Sequence, residues 1–255
     1  MKTKISWVIY CLMSLVLLQP LSAAERFVAN EGSGFVWIRQ GKAYPILIDP
    51  QEDKGVVRAV VNLQTDAGKV TGVTPEIINS ASGRRMLIVG SIENSSWIKQ
   101  LLQSGKINAA DLQGKREKYI LQTVKNPIGG VEEAVVIAGS DKRGTIYGIY
   151  ELARQMGVSP WYFWADVPVE KHDVISIKEG IYTDGEPAVK YRGIFLNDEW
   201  PSLGGWASAT FGGFNSKFYE TVFELVLRLK GNFMWPAMWN SAFYDDDPMN
   251  GPLAN

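Results

Sequence analysis

At 255 residues the chain has room for one or two domains, and 46% hydrophobic with 21% charged residues is the balance of an ordinary globular protein. A formal charge of −1 with no basic run argues against a nucleic-acid or anionic-membrane partner. Nine tryptophans are many, and six of them lie from Trp161 onward. Such residues serve either as large core filler or as flat apolar surfaces for stacking.

Residues 1–24 read as a secretion signal. Lys2 and Lys4 form a basic start, Ile5 to Leu18 an apolar run, and Pro20 with Leu21-Ser22-Ala23-Ala24 a break with small residues. The apolar run is too short for a convincing membrane span. Its removal takes away Cys11, the only cysteine, and the two lysines, changing the charge from −1 to −3. The expected product is exported, periplasmic or extracellular, without thiols or disulfides.

Phe35 to Ile38 and Tyr44 to Ile48, across Gly41-Lys42, predict a β-hairpin. Asp49-Pro50 opens a helix carrying Val56, Val57, Val60, Leu63 and Val70 at helical spacing. Arg85 to Val89 is a continuous apolar run of the buried, parallel-sheet type, followed by Asn94-Ser95-Ser96 caps and a helix with Trp97, Ile98, Leu101 and Leu102. The arrangement recurs with strands at 119–124 and 134–138 and a helix running to about Met156. Gly139 to Gly144 opens that helix without the spacing of a dinucleotide or phosphate loop, so a capped turn is expected. Ile175 to Gly180 alternates as an edge strand would. Alternating strands and helices predict an α/β layer domain over residues 25–185, closed by a linker at Thr183 to Pro187. The sole histidine, His172, has no metal-ligand spacing around it, and Asp245-Asp246-Asp247 lacks calcium-loop spacing. We expect no metal and no cofactor, and a solvated loop before Pro248.

Residues 186–255 form a second unit. An apolar run, Ile194-Phe195-Leu196, ends abruptly in Asn197-Asp198-Glu199-Trp200. A glycine-rich loop spans Gly204 to Gly213, and an amphipathic helix runs from Ser216 to Lys230 with Lys217, Glu220, Arg228 and Lys230 facing out. Asn232 to Pro236 closes a βαβ crossover. A strand that spills polar residues from its C-terminal end is the pattern of a (β/α)8 barrel, whose chemistry sits there.

Tyr191 to Trp200, Phe211 to Asn215, Leu229 to Asn232, Met234 to Trp239 and Phe243 to Pro248 closely resemble glycoside hydrolase family 115, the xylan α-1,2-glucuronidases. Gly144 to Gly148 and Gly157 to Pro160 are similar to the α/β domain that precedes the barrel in that family. The resemblance implies an exported enzyme removing (4-O-methyl-)glucuronic acid side chains from glucuronoxylan or decorated xylo-oligosaccharides, with inversion. Inversion needs an acid and a base carboxyl separated by about 6.5–9.5 Å. Neighbours at a strand end point to opposite sides, so Asp198 and Glu199 cannot supply both. By match to the family's Asn-Asp-Glu, Asp198 is expected as the catalytic-centre carboxylate, and Asn197, Glu199, Trp200, Trp235 and Trp239 as substrate-binding residues. Such a barrel takes roughly 250 residues, and Tyr191 to Asn255 provides about two of its eight units. The expected architecture is therefore an N-terminal α/β layer domain followed by the first part of an incomplete barrel. The partner carboxyl is expected beyond Asn255, and the 255-residue chain is expected to be inactive alone. With too few barrel neighbours to close its own core, the segment 190–255 is expected to be mobile or aggregation-prone. The residues leave two other functions open, a non-catalytic carbohydrate-binding protein and a structural α/β domain that assembles with another chain.

Overall fold

The computed structural model describes residues 25–255, so the secretion-signal reading of residues 1–24 lies outside the described residues. Its largest layer is a six-stranded mixed sheet. β4 (Ile46–Ile48), β5 (Ile77–Ile78), β6 (Arg85–Ser91) and β8 (Glu133–Gly139) run parallel, β7 (Tyr119–Lys125) pairs antiparallel with β8, and β10 (Ile181–Tyr182) pairs antiparallel with β7 at the edge, in the order β10-β7-β8-β6-β4-β5. β6 and β8 are apolar nearly throughout because both sheet faces are covered. Leu87 and Val89 face one cluster, with Val60 and Leu63 of α1 (Lys54–Thr71) and Ile149 of α3 (Lys142–Gln155). Met86 and Ile88 alternate to the other face, against Ile98 and Leu101 of α2 (Ser96–Gln103).

A second, antiparallel sheet lies on the α1/α3 side, in the order β1-β9-β2-β3: β1 (Val28–Ala29), β2 (Phe35–Arg39), β3 (Lys42–Ala43) and β9 (Val174–Ile177). Three expectations are corrected here. The hairpin is β2 with the two-residue β3, and the chain then leaves it at Pro45 so that Ile46–Ile48 joins the parallel sheet. Strand β9 is central, between β1 and β2, because Ile175 and Ile177 are buried and even Ser176 is satisfied by the Ala29 carbonyl. The first long helix begins later than Asp49-Pro50, with Asp53 capping the Gly55 N–H at 2.8 Å.

After β10 no regular element occurs until β11 (Gly193–Phe195). β11 pairs in parallel with β12 (Phe233–Trp235), and between them lie α4 (Leu203–Phe211) and α5 (Ser216–Arg228). The glycine-rich stretch is thus a helix for most of its length. Burial of Ala207 and packing of Trp206 and Phe211 against Trp164 and Phe218 override the low helix propensity of Gly204-Gly205. Short helices α6 (Phe243–Asp246) and α7 (Asn250–Ala254) replace the expected solvated loop. Asp247 caps α5 by accepting the Ser216 N–H at 2.8 Å.

The second unit is docked on the first, contrary to the expectation of a segment left mobile for lack of partners. Arg228, expected to face out, is 4% exposed and meets Asp66 of α1 at 2.8 Å and Glu224 at 2.7 Å. Its guanidinium lies over the rings of Tyr150 and Tyr162. Lys230 reaches Glu151 and Asp184, Arg192 reaches Glu117 at 2.7 Å, and the Tyr147 hydroxyl donates to the Gly231 carbonyl at 2.9 Å. None of the described helices is long and apolar enough to cross a membrane.

Candidate active site at the ends of two parallel strands

The register sets Gly193 opposite Phe233, Ile194 opposite Met234 and Phe195 opposite Trp235. Side chains alternate along each strand. Ile194, Met234 and Leu196 therefore pack on Phe218, Tyr219 and Val222 of α5, whereas Phe195, Phe233 and Trp235 stand on the opposite, exposed face. There Phe195 and Trp235 meet edge to face, 5.7 Å between centroids.

Beyond Phe195 the chain carries Leu196 onto the ladder, its N–H donating to the Trp235 carbonyl at 3.0 Å, and then turns. Asn197 and Glu199 are exposed; Asp198 between them is fully buried. The carboxylate of Asp198 accepts the Asn240 N–H at 2.7 Å on one oxygen and the Trp239 N–H at 3.2 Å on the other. Burial resists its ionisation. The Asn240 N–H, the Ser241 hydroxyl and the Trp239 N–H outweigh that and hold the carboxyl below the ordinary aspartate value. Asp198 thus ties the C-terminal end of β11 to the loop that follows β12.

Trp200 completes the turn. Its indole lies against the first turn of α4, where a Cβ on Gly204 would come within 2.8 Å of the indole nitrogen and 2.7 Å of the Asp198 carbonyl oxygen. The glycine is needed for that approach. Trp200, Trp235 and Trp239 are all exposed, Trp239 most, at 71%. The Trp235 indole nitrogen points at the Met238 sulfur, 3.1 Å away.

The structure therefore gathers Asp198, Trp239 and the turn bearing Asn197, Glu199 and Trp200 at one end of the strand pair, with Trp235 on its exposed face. The sequence signal for Asp198 was its place at the abrupt end of an apolar run. Trp239 and Asn240 carried none as its partners, because they reach it through backbone N–H groups, which have no side-chain signature. A separate cleft, about 530 Å³, opens between the two units and is lined by Arg58, Lys142, Tyr150, Phe223, Phe233 and Tyr244, among others. None of the six expected site residues lines it. Among the described residues no group of three or more His, Cys, Asp or Glu could hold a metal ion.

The family model described as Glycosyl hydrolase family 115 matches residues 184–255, and that described as Glycosyl hydrolase family 67 N-terminus matches residues 37–152. No curated protein matches the chain. Among solved structures, a family GH115 4-O-methyl-α-glucuronidase with specificity for decorated arabinogalactans is similar with a TM-score of 0.73 and 32% identity, covering 86% of this chain and 28% of that one. A β-hexosaminidase of Streptomyces plicatus is similar at a TM-score of 0.45 and 16% identity, over 79% of this chain and 31% of that one. The GH20 β-N-acetylhexosaminidase of Streptomyces coelicolor A3(2) gives 0.44 and 14%, over 79% and 31%. The chain spans 28% of the length of the α-glucuronidase. By motif, family model and backbone together, residues 184–255 match glycoside hydrolase family 115, and the chain over most of its length is similar to part of a family 115 α-glucuronidase.

Proposed function

We propose that the chain supplies the N-terminal α/β domain and the opening strands of the catalytic barrel of an exported glycoside hydrolase. In this reading the enzyme removes α-1,2-linked (4-O-methyl-)glucuronic acid from a decorated polysaccharide, with inversion. The observation that carries it is the strand-end cluster: Asp198, with Asn197, Glu199, Trp200, Trp235 and Trp239, at the C-terminal ends of two parallel strands, where barrel enzymes hold their chemistry. Asp198 is its central carboxylate. A group whose proton is held so weakly is ionised near neutral pH, so the general acid, which needs a raised pKa, is a different residue.

The similar α-glucuronidase is described as specific for decorated arabinogalactans. The test therefore offers both glucuronoxylan and glucuronate-decorated arabinogalactan to the exported protein and measures released uronic acid by chromatography. Release of (4-O-methyl-)glucuronic acid from one polymer, with inverted anomeric configuration by NMR, is the expected result when this chain is joined to the remaining barrel strands, and the 255-residue chain alone is expected to release none. A second reading, a carbohydrate-binding protein without turnover, is favoured by the three exposed tryptophans. Binding of either polymer with no release even from the joined protein would select it.

A further inference from the structure

We infer that Asp198 is a positioning residue: it anchors the backbone of Trp239 and Asn240 so that the Trp239 indole stands as a fixed stacking surface for an uncharged sugar ring. This rests on the saccharide reading of the strand-end site.

Three observations carry it. First, the two carboxylate oxygens of Asp198 are each engaged by a different backbone N–H, Trp239 at 3.2 Å and Asn240 at 2.7 Å, and the side chain has no exposed surface. A carboxylate so occupied has neither a proton to give nor an open path to a substrate. What it controls is the loop it holds. Second, that loop is fixed in its backbone and free in its side chain. Ala237 is buried and Asp198 clamps residues 239 and 240, yet the Trp239 ring is 71% exposed and forms no aromatic pair among the described residues. A tryptophan serving as core filler would bury most of its large ring. Third, the charge of the surroundings selects the ligand. From Leu196 to Ser216 and from Met234 to Asn255 there is no lysine or arginine, the adjoining cations being Lys217 at the start of α5 and Lys142 on the Asn255 carbonyl, whereas Asp198, Glu199, Asp245, Asp246 and Asp247 are all acidic. Like charge disfavours a uronate carboxylate in these surroundings. The flat, C–H-lined face of a neutral pyranose suits the indole and brings no charge. The Trp239 position therefore takes a neutral sugar of the polymer, and the uronate is held by cationic groups elsewhere.

The test uses the 255-residue chain with xylotetraose as the neutral probe and glucuronic acid as the charged one, binding being followed by calorimetry. Amide exchange of residues 239 and 240 is read by NMR. Asp198→Ala is expected to speed exchange at Trp239 and Asn240 by about tenfold or more, the loss expected when a hydrogen bond to a charged acceptor is removed. Amides of β6 and β8 stay protected and report that the fold survives. Asp198→Asn, which keeps the size and one acceptor, is expected to fall between. Asp198→Ala and Trp239→Ala should each weaken xylotetraose binding by about tenfold, and the double variant by no more than either single one, because both act through one group. Unchanged exchange in Asp198→Ala, additive losses, or Trp239-dependent binding of glucuronic acid in place of xylotetraose would each overturn the inference. Absence of any saccharide binding overturns the stacking role even where exchange behaves as expected. Xylotetraose bound as expected, with no uronic acid released from decorated polymers even when this chain is joined to the remaining barrel strands, sinks the hydrolase reading and leaves this one standing.

Discussion

Gly204 and Gly205 are adjacent in α4, and their surroundings give opposite predictions. A glycine inside a helix usually costs about 0.5–1 kcal/mol relative to alanine. At Gly205 an added Cβ would sit 3.5 Å from the Trp200 ring, an ordinary contact, so Gly205→Ala should be neutral or stabilising by up to about 1 kcal/mol. At Gly204 the same Cβ would lie 2.7 Å from the Asp198 carbonyl oxygen, which is backbone and cannot swing away. Gly204→Ala should therefore destabilise by about 1–3 kcal/mol, as overpacking does. Urea unfolding of the two variants checks the pair, and equal effects would remove the argument. Asp198 itself carries a pH signature. Its pKa is lower in the folded chain than the ordinary value of 3.8, so its stabilising contribution is complete above that value and is lost as pH falls through the folded value. Protection of the Trp239 and Asn240 amides should outlast titration of ordinary aspartates on acidification, and in Asp198→Asn it should no longer depend on pH in that range.

The element that decides the arrangement of the molecule is α5. Its apolar face, Phe218, Val222 and Val226, packs toward β11 and β12 as the sequence period requires. Its other side faces water only in part, with Lys217 exposed near its start. Arg228 enters a pocket of Asp66, Glu224, Tyr150 and Tyr162. Burial works against its charge, and Asp66 and Glu224 outweigh that, so its proton is held more tightly than in an ordinary arginine. Removing one partner of such a pair leaves the other charged, buried and alone. Arg228→Ala should cost about 3–5 kcal/mol, whereas Arg228→Met combined with Asp66→Leu should recover most of that loss. Chemical denaturation of the single and double variants gives the answer, and a double variant no better than the single would show that charge desolvation is not the cause.

Across the whole molecule the α/β layers and the strand-end unit meet through the rings of Phe163 and Trp164 on Trp206, Phe211 and Phe218 and through a set of polar ties. Glu151 sits 1% exposed against Arg154 and Lys230. Burial opposes its ionisation, but hydrogen bonds from Arg154 and Lys230 bring its pKa down to about 2 from 4.5. A depressed carboxylate stabilises above its unfolded value, so this tie is intact above pH 4.5 and is lost as pH falls toward 2. Proteolysis between Thr183 and Arg192, where no regular element occurs, should yield two pieces that stay associated at neutral pH and separate on acidification. Size-exclusion chromatography of the nicked protein at the two pH values tests this. Lys230→Met should shift the separation to higher pH by weakening the same tie.

The sequence by itself determined the parts whose cause is local. Continuous apolar runs at 85–89 and 134–138 became fully covered strands, and alternation across β11 and β12 fixed which face α5 covers. The abrupt change from Leu196 to Asn197-Asp198-Glu199 marked a strand end carrying polar groups, and the motifs from Tyr191 to Pro248 named the family. The tertiary structure alone decided the rest. Ile46–Ile48 could pair with its hairpin partner or with β6, and only the parallel sheet buries both of its faces. The glycines of α4 read as loop because the aromatic neighbours that make a helix worthwhile, Trp164 and Phe218, lie at other places in the chain. Arg228 read as a surface residue because its partner Asp66 is far away in sequence. Trp239 and Asn240 reach Asp198 through backbone N–H groups that every residue but proline possesses, so no residue type could announce them. Periodicity records what a segment must bury, whereas the partner that buries it, or that receives its charge, is fixed only when distant segments meet.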